Sequence, residues 1–343
     1  GAGEVCLRRN RSKSLNTPAS VSHMDIPQLI VAPMAGGPSS PALVDAAATA
    51  GSLGFLAVGG APARVLEEQM AQVTGRYGVN LFTKQAPFDS LADVHAVAGD
   101  RELPDVDLSN DFDAKFTAVL DSPHPPEVVS ATFGPFTREQ IDALHTRGIQ
   151  AWITVTNPTD AEAAAAVGAD ALVVQGPEAG GHRSTWSIEE TPDDQPLPDL
   201  VRSVAAVVDL PLIAAGGIRD AADVAAALAL PGVVAVSCGS AFLLADEAGT
   251  SALNRELLAE GGHSVASRAF SGRVARGLET DFTRNHPDIP PIYPYLVPLQ
   301  AADRRDRPRE LAYCLVGVDV EKLGGGPAAT ILARLAPDQH VSR

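Results

Sequence analysis

The sequence predicts an α/β protein of the (β/α)8 barrel class, and three observations support that prediction. Eight short apolar runs, rich in β-branched residues, recur along the chain of 343 residues. Many of them start about 22 residues apart, as at 55 and 77, 149 and 171, or 211 and 233. Helix-forming stretches lie between them. Because one strand, one crossover helix and two short loops fill about 22 residues, eight such units favour a closed barrel over an open sheet.

The apolar runs alternate little between polar and apolar residues. That pattern is typical of strands covered on both faces, as in a parallel sheet surrounded by helices. We therefore expect every run to form one buried strand of the barrel. In chain order the predicted strands begin near Ile30, Phe55, Tyr77, Val128, Ile149, Ala171, Pro211 and Val233.

The stretches between the strands carry signals for the start and the end of helices. Thr137, followed three residues later by Gln140, predicts a capping box at the start of one helix. A glycine after a helix readily takes the left-handed conformation that ends it. The predicted helices cover residues 41–50, 137–147, 160–167 and 220–230, and glycine directly follows the first three.

Two intervals between predicted strands are longer than the others, and both follow a strand. The first, residues 83–127, is rich in proline, has an amphipathic segment near 112–119, and is interpreted as a lid or small subdomain. The second, 183–200, is acidic and proline-rich and is interpreted as a solvated flap. For both, a tolerated surface insertion is the alternative. A position after a strand places them at the carboxyl face, where barrel enzymes hold their active sites.

Residues 24–343 are expected to form one domain, in which the barrel continues into a C-terminal extension over 245–343. Within the extension, helices are predicted near 253–259 and 328–335. Residues 1–23 are basic, lack an apolar segment and precede Met24. We interpret them as a vector-derived or disordered leader.

Composition excludes some classes of partner. The formal net charge is −16 and the isoelectric point about 4.8, which argues against nucleic acid and anionic membranes as partners. No apolar run reaches the roughly 18 residues of a membrane-spanning helix. Three cysteines stand far apart, without the spacing of a metal site or a disulfide framework, which fits a reducing cytoplasm. The oligomeric state stays open.

The seventh and eighth predicted strands end in a pattern typical of a phosphate site. One ends at Gly216-Gly217 and the other at Ser237-Cys238-Gly239-Ser240. Backbone N–H groups of such loops bind phosphate at the top of a barrel, and Ser240 can add its hydroxyl. Neither loop contains lysine, which favours a phosphate that is held rather than transferred. The alternative is that these glycines only form tight turns. The Cys238 side chain, beside the predicted phosphate, is interpreted as an inert packing thiol.

Other predicted strand ends carry groups that suit a flat heteroaromatic ring. The first ends in a small, apolar segment that includes Met34, the third contains Asn80, and the sixth ends at Gln175. Both amides can donate and accept hydrogen bonds, as alternating ring N–H, N and C=O groups require. A ring with a phosphate tail describes flavin mononucleotide (FMN), and also several other nucleotides.

His182 is the candidate catalytic residue. It follows Gly180 and Gly181 in the segment QGPEAGGHRS, directly after the sixth predicted strand. Two glycines allow the chain to turn sharply or to approach a ring closely. We therefore expect a loop that presents His182 to a ligand, with a histidine of no special role as the alternative.

These motifs together resemble the FMN-dependent nitronate monooxygenases, formerly called 2-nitropropane dioxygenases. The resemblance covers about 26–282 and implies an FMN-binding TIM barrel that oxidises alkyl nitronates with O2 to carbonyl compounds and nitrite. It implies FMN contacts at Asn80, Gln175, Gly180, Gly217 and 237–240, with Met34 in the flavin platform and His182 as the catalytic histidine. The matching segments are APMAGG (32–37), GVNLF (78–82), TFG (132–134), QGPEAGGHR (175–183), AAGGI (214–218) and RAFSGR (268–273).

The sequence departs from the family pattern at Ala241, where the family usually has arginine. The LAYCLVGVD segment also lacks a Gly-Gln element found in many members. These differences affect the expected substrate more than the expected cofactor. The alternatives are an FMN-dependent NAD(P)H reductase of quinones or enoyl thioesters on the same fold, and a flavin-binding protein without turnover.

Overall fold

The computed structural model describes residues 25–337, and within them eight parallel strands close into a barrel. The first strand pairs with both the second and the last, which completes the closure. Each predicted apolar run contains one barrel strand, so the predicted fold class is confirmed. Numbered in chain order, the barrel strands are β1 (Leu29–Val31), β2 (Leu53–Ala57), β3 (Gly78–Phe82), β4 (Val128–Thr132), β5 (Gln150–Val155), β6 (Ala171–Gln175), β8 (Leu212–Ala215) and β9 (Val233–Cys238).

The barrel interior is filled by buried apolar side chains that come from most of the strands. Phe55 and Trp152 lie with ring centroids 5.7 Å apart, and both are almost completely buried. Gly78 on the neighbouring strand leaves the space that the Phe55 ring occupies, since a β-carbon there would overlap it. A second and larger apolar layer lies between the barrel and its helices. The interior is therefore a packed core, and ligands are restricted to the ends of the strands.

Seven helices cross between consecutive barrel strands. Caps predicted by the sequence are present, including the Thr137 and Gln140 capping box. Side chains of Ser40, Asn157 and Asp220 cap three other helices. The crossover helices are α1 (Pro41–Thr49), α2 (Ala63–Met70), α4 (Phe112–Asp121), α5 (Arg138–Thr146), α6 (Pro158–Ala166), α7 (Leu197–Ala205) and α8 (Ala221–Leu228).

The eighth helix of the ring comes from the end of the chain. Helix α13 (Ala328–Leu335) contacts both α1 and α8, which places it where the crossover after β9 would lie. Its buried side chains include Ile331 and Leu332, which belong to the same apolar layer as the other helices. The predicted helix at 328–335 therefore completes the barrel.

The predicted insertion at 83–127 has two parts. Helix α4 contacts α2 and β3, so it is the crossover helix of the third unit, and the amphipathic segment near 112–119 belongs to the barrel. The remaining part, 83–111, contains α3 (Ala92–Ala98). Its Val94 packs with Ile292 and Leu296 in a small apolar cluster. The outer part of this insertion is thus held by the C-terminal extension.

The extension adds a small antiparallel sheet and four further helices. Strand β11 (Ala275–Leu278) pairs with β10 (Ser264–Ser267) on one side and with β7 (Gly181–His182) on the other. His182 therefore lies on a two-residue strand, whereas the sequence predicted a loop. A contact 93 positions along the chain, from 182 to 275, creates this strand. The added helices are α9 (Ala252–Glu260), α10 (Asp281–Asn285), α11 (Leu296–Leu299) and α12 (Ala301–Asp306).

The prediction that residues 183–200 form a solvated flap is wrong for the first half of that segment. Arg183, Ser184, Thr185 and Ile188 are buried, because this segment packs between the barrel mouth and the extension. Exposed acidic and proline residues begin at 189. Within 25–337 no helix is long and apolar enough to cross a membrane. The predicted leader, 1–23, lies outside the described residues.

Candidate active site

Most of the predicted site residues lie at the carboxyl ends of the barrel strands. Parallel strands bring their carboxyl ends to one mouth, which explains why residues 34, 80, 175, 216 and 240 meet although they are far apart in sequence. Ala32 N–H donates to the Cys238 carbonyl oxygen at 2.9 Å, so the loop after β1 lies against the end of β9. Met34 follows in this loop, and a β-carbon on Gly239 would lie 3.6 Å from its Sδ.

The ends of β8 and β9 present unpaired backbone donors. Gly216 and Gly217 have φ of +123° and +72°, conformations that glycine takes without strain. Among residues 25–337, none accepts a hydrogen bond from the N–H of Gly217, Gly239 or Ser240. Such groups at adjacent strand ends form a concave site that suits an anion. Ser240 Oγ accepts the Gly317 N–H at 2.9 Å, which leaves its own proton for a ligand.

Ser237 and Cys238 lie directly before these donors and are buried within β9. Burial raises the pKa of the Cys238 thiol to about 12, although the nearby Arg219 partly opposes that effect. The thiol therefore stays protonated and behaves as a packing group. This agrees with the inert packing thiol that the sequence analysis predicted.

The Asn80 side chain is oriented by the neighbouring strand. Its Nδ2 donates to Ser130 Oγ at 2.8 Å and to Thr132 Oγ1 at 3.0 Å. No described residue donates to its Oδ1, so this oxygen is the group that Asn80 can offer to a ligand.

Gln175 holds the His182 segment in place. Its Nε2 donates to the His182 carbonyl oxygen, and its Oε1 accepts the Ser184 N–H, both at 2.8 Å. The amide thus fixes the backbone on either side of Arg183. One N–H and one lone pair of the amide are left for a ring. A flavin contact at Gln175 stays a prediction, while its role in orienting His182 follows from these two bonds.

The two glycines before His182 serve different purposes. A β-carbon at Gly180 would lie 2.5 Å from the Gly317 nitrogen, so this glycine allows close packing against the extension. Gly181 has φ of +82°, and the space beside it is open. Close approach of a ligand is therefore expected at Gly181 rather than on the packed side of Gly180.

His182 is enclosed by side chains from three parts of the chain. Its Nε2 lies 2.6 Å from Ser271 Oγ, and its ring packs edge-on against Phe133 and Tyr293 at centroid distances of 5.9 and 5.3 Å. Burial of the imidazole, and then the charge of Arg273, lower the His182 pKa from 6.5 to about 3. The imidazole is consequently neutral at pH 7, with one nitrogen that donates and one that accepts.

Sequence reasoning did not assign Phe133, Ser271, Arg273 or Tyr293 to the site. Phe133 has φ of +76°, which is strained for a bulky residue, and its N–H donates to Ser184 Oγ at 2.9 Å. The Arg273 guanidinium carbon lies 3.9 Å from the Phe133 ring centroid. The segments TFG (132–134) and RAFSGR (268–273) contain the first three of these residues, so the resemblance itself was the available signal.

Fold and site together describe a (β/α)8 barrel with unpaired backbone donors at two strand ends and a neutral histidine at the mouth. The nitronate monooxygenase family pattern matches residues 18–309, and the chain belongs to that family of flavin-dependent oxidoreductases. A nitronate monooxygenase from Pseudomonas aeruginosa is 36% identical over 296 residues, which cover 78% of this chain and 82% of the relative.

Solved structures agree with this assignment. A nitroalkane oxidase from Streptomyces ansochromogenes superposes with a TM-score of 0.78 at 34% identity, covering 90% of this chain and 94% of that one. FabK from Thermotoga maritima superposes with a TM-score of 0.66 at 22% identity, covering 90% of this chain and 91% of that one. The second likeness supports the fold alone.

Proposed function

We propose that this chain binds FMN at the barrel mouth and oxidises alkyl nitronates with O2 to carbonyl compounds and nitrite. The observation that carries the proposal is a neutral His182 beside the buried cation Arg273. A nitronate is already an anion, so it can be attracted by the cation and accept a hydrogen bond without first losing a proton. Family membership supports nitronates as the substrate class.

The donors at the ends of β8 and β9 fit the phosphate of FMN. The N–H groups of Gly217, Gly239 and Ser240 and the Ser240 hydroxyl provide several hydrogen bonds without a lysine. Backbone groups in a fixed geometry suit a phosphate that stays bound through turnover. The strap formed by residues 314–318 would lie beside that phosphate, because Gly317 contacts Ser240 directly.

The ring of the flavin would occupy the mouth between Met34 and Gly181. Asn80 Oδ1 and the remaining groups of the Gln175 amide would meet its polar edge. When bound, the flavin supplies the redox chemistry, accepting electrons from the substrate and passing them to O2. The protein's own contribution is to bind the nitronate, orient it and stabilise its negative charge.

His182 suits hydrogen-bond donation better than proton abstraction. A base with a pKa near 3 is weak at neutral pH, where efficient general bases have a pKa near the working pH. If Ser271 donates to Nε2, the imidazole proton lies on Nδ1 and can be donated to a nitronate oxygen. We therefore expect preformed nitronates to be oxidised much faster than the corresponding neutral nitroalkanes.

The test is to mix the flavin-loaded protein anaerobically with an alkyl nitronate, its neutral nitroalkane, NADH and NADPH in separate experiments. Flavin absorbance at about 450 nm reports reduction, and nitrite release with O2 consumption reports turnover after air is admitted. We expect rapid loss of absorbance with the nitronate alone. Reduction by NADH or NADPH without any response to nitronate would instead identify a pyridine-nucleotide-dependent reductase.

A further inference from the structure

A small cavity opens beside the His182 cluster. Its volume is about 50 Å³, and its walls are the loop after β3, residues 186–189 and the side chains of Phe133 and Arg273. A water needs roughly 10–15 Å³ of such space, so the cavity has room for a few waters or for one small polyatomic group. Phe133 separates it from His182, with its ring in contact with both His182 and Arg273.

Arg273 is the unusual group in this wall. The residue is only 2% exposed. Its Nη1 donates to Thr185, at 2.7 Å to the carbonyl oxygen and 3.3 Å to Oγ1, and no other described residue accepts a hydrogen bond from the guanidinium. Within 25–337 the buried Nε has no acceptor. Burial lowers the Arg273 pKa to about 10, so the side chain is still a cation at pH 7.

Such an arrangement leaves the charge of the guanidinium only partly compensated. A buried guanidinium normally pairs with a carboxylate, because desolvation of the charge is otherwise poorly compensated. The carboxylates whose charges act on Arg273 are those of Glu189 and Glu190. Both lie on the adjoining loop, and Glu189 is exposed. Contact with the Phe133 face compensates only part of the cost, because a cation–π contact is weaker than pairing with a carboxylate.

We propose that Arg273 is an anion-binding residue and that the cavity beside it receives a planar oxyanion group. Its occupant in turnover, which rests on the proposed function, is the nitronate group of the substrate. Arg273 is therefore a substrate-binding residue, and the Phe133 ring lies between it and His182. A planar guanidinium with free N–H groups matches two oxygens on one nitrogen, as it matches a carboxylate.

Nitrate serves as the probe, because it is a planar oxyanion that cannot be oxidised as a nitronate can. Its affinity for the flavin-loaded enzyme is measured by isothermal titration calorimetry for the wild type, Arg273→Met and Arg273→Lys. We expect at least about a tenfold loss of affinity in Arg273→Met and a smaller loss in Arg273→Lys, since charge-assisted hydrogen bonds account for about this difference. In the wild type, nitrate should also inhibit competitively against the nitronate.

The matched control is Lys84→Met. Lys84 lines the same cavity and carries the same charge, but its Nζ pairs with Asp113 at 2.7 Å and its side chain is half exposed. We expect its nitrate affinity to stay within about threefold of the wild type, because an exposed pair screens that charge. Equal losses in Lys84→Met and Arg273→Met would show a general charge effect and overturn the proposal. Undetectable nitrate binding in the wild type would also overturn the proposal, and this measurement does not depend on the folding of any variant.

Kinetics separate this proposal from the proposed function. Arg273→Met should raise KM for a nitronate much more than KM for its neutral nitroalkane, with flavin content unchanged. Nitronate oxidation with an unaltered KM in Arg273→Met would reject the subsite and leave the function standing. Arg273-dependent nitrate binding in a protein that does not oxidise nitronates would reject the function and leave the subsite standing.

Discussion

Replacing His182 by glutamine should remove a pH-dependent part of the folding free energy. The folded protein lowers the His182 pKa from 6.5 to about 3, first by burial and then through the charge of Arg273. The unfolded chain therefore takes up a proton below about pH 6.5, while the folded protein does not until far lower pH. Because the folded-state pKa is the depressed one, stability is complete above pH 6.5 and is lost as the pH falls toward 3.

The size of the effect follows from the distance between the working pH and the unfolded-state pKa. A pH of 5 lies about 1.5 units below 6.5, the pKa of the histidine in the unfolded chain. Each unit corresponds to about 1.36 kcal/mol of folding free energy. Lowering the pH from 8 to 5 should therefore destabilise the wild type by about 2 kcal/mol more than His182→Gln. Other titrating groups contribute equally to both proteins and cancel in the comparison.

The assay is urea unfolding of the flavin-free protein at pH 8 and pH 5, for the wild type and His182→Gln. His95→Gln, which removes an exposed histidine, gives the background for the loss of one histidine from the unfolded chain. The imidazole signals of the wild type, assigned with His182→Gln, report the same titration directly by NMR. An equal stability difference at both pH values, or an NMR titration of His182 near pH 6.5, would refute the reasoning.

Three further predictions test the packing around the site. Gly180→Ala should destabilise the protein by about 1–3 kcal/mol, since the new methyl group would lie 2.5 Å from the Gly317 nitrogen. Thermal unfolding is compared with that of Gly181→Ala, whose methyl group would enter open space on a backbone with positive φ. The comparison separates crowding from backbone strain. Gln175→Leu should leave two backbone groups of the His182 segment unpaired and lower kcat at least about tenfold, with part of the flavin retained on gel filtration. Cys238 should resist iodoacetamide at pH 8 in the folded protein, as judged by mass spectrometry, because its pKa is about 12; rapid native labelling would contradict its burial.

The barrel could be predicted because its signals are local. Each strand is covered on both faces, so its apolar run is visible in the sequence whatever the partner strand is. Strand β7 could not be predicted, because Gly181 and His182 are extended only through pairing with Arg276 and Ala275. Two residues also contain no periodicity to read. Helix α4 was assigned to the insertion for a similar reason: the sequence indicates its amphipathic face but not its packing partner.

The candidate site was predicted where glycines and amides lie at the ends of strands. It was missed at Phe133, directly after β4, and where the extension contributes residues. Nothing in the spacing between His182 and Arg273 indicates that they lie near each other, since 91 positions separate them. The small sheet of β7 and β11 brings them together. At Gly180 the sequence analysis expected glycine to allow a sharp turn or close approach to a ring, whereas the structure gives another reason for a glycine there. Its missing β-carbon makes room for Gly317 of the extension, an interaction that depends on tertiary structure alone.

The extension contributes residues to the candidate active site, and this supports the prediction of one domain as far as residues 25–337 are concerned. Beside the backbone donors at the ends of β8 and β9, the strap at 314–318 contacts Ser240 and accepts hydrogen bonds from Arg219 through the Val318 carbonyl oxygen. Around the candidate catalytic residue, Tyr293 packs against His182 and Arg273 lies over the Tyr293 ring. Because α13 also closes the helical ring between α1 and α8, barrel and extension cannot separate without exposing apolar surface. Flavin binding and folding of the extension should therefore be lost together, in one transition.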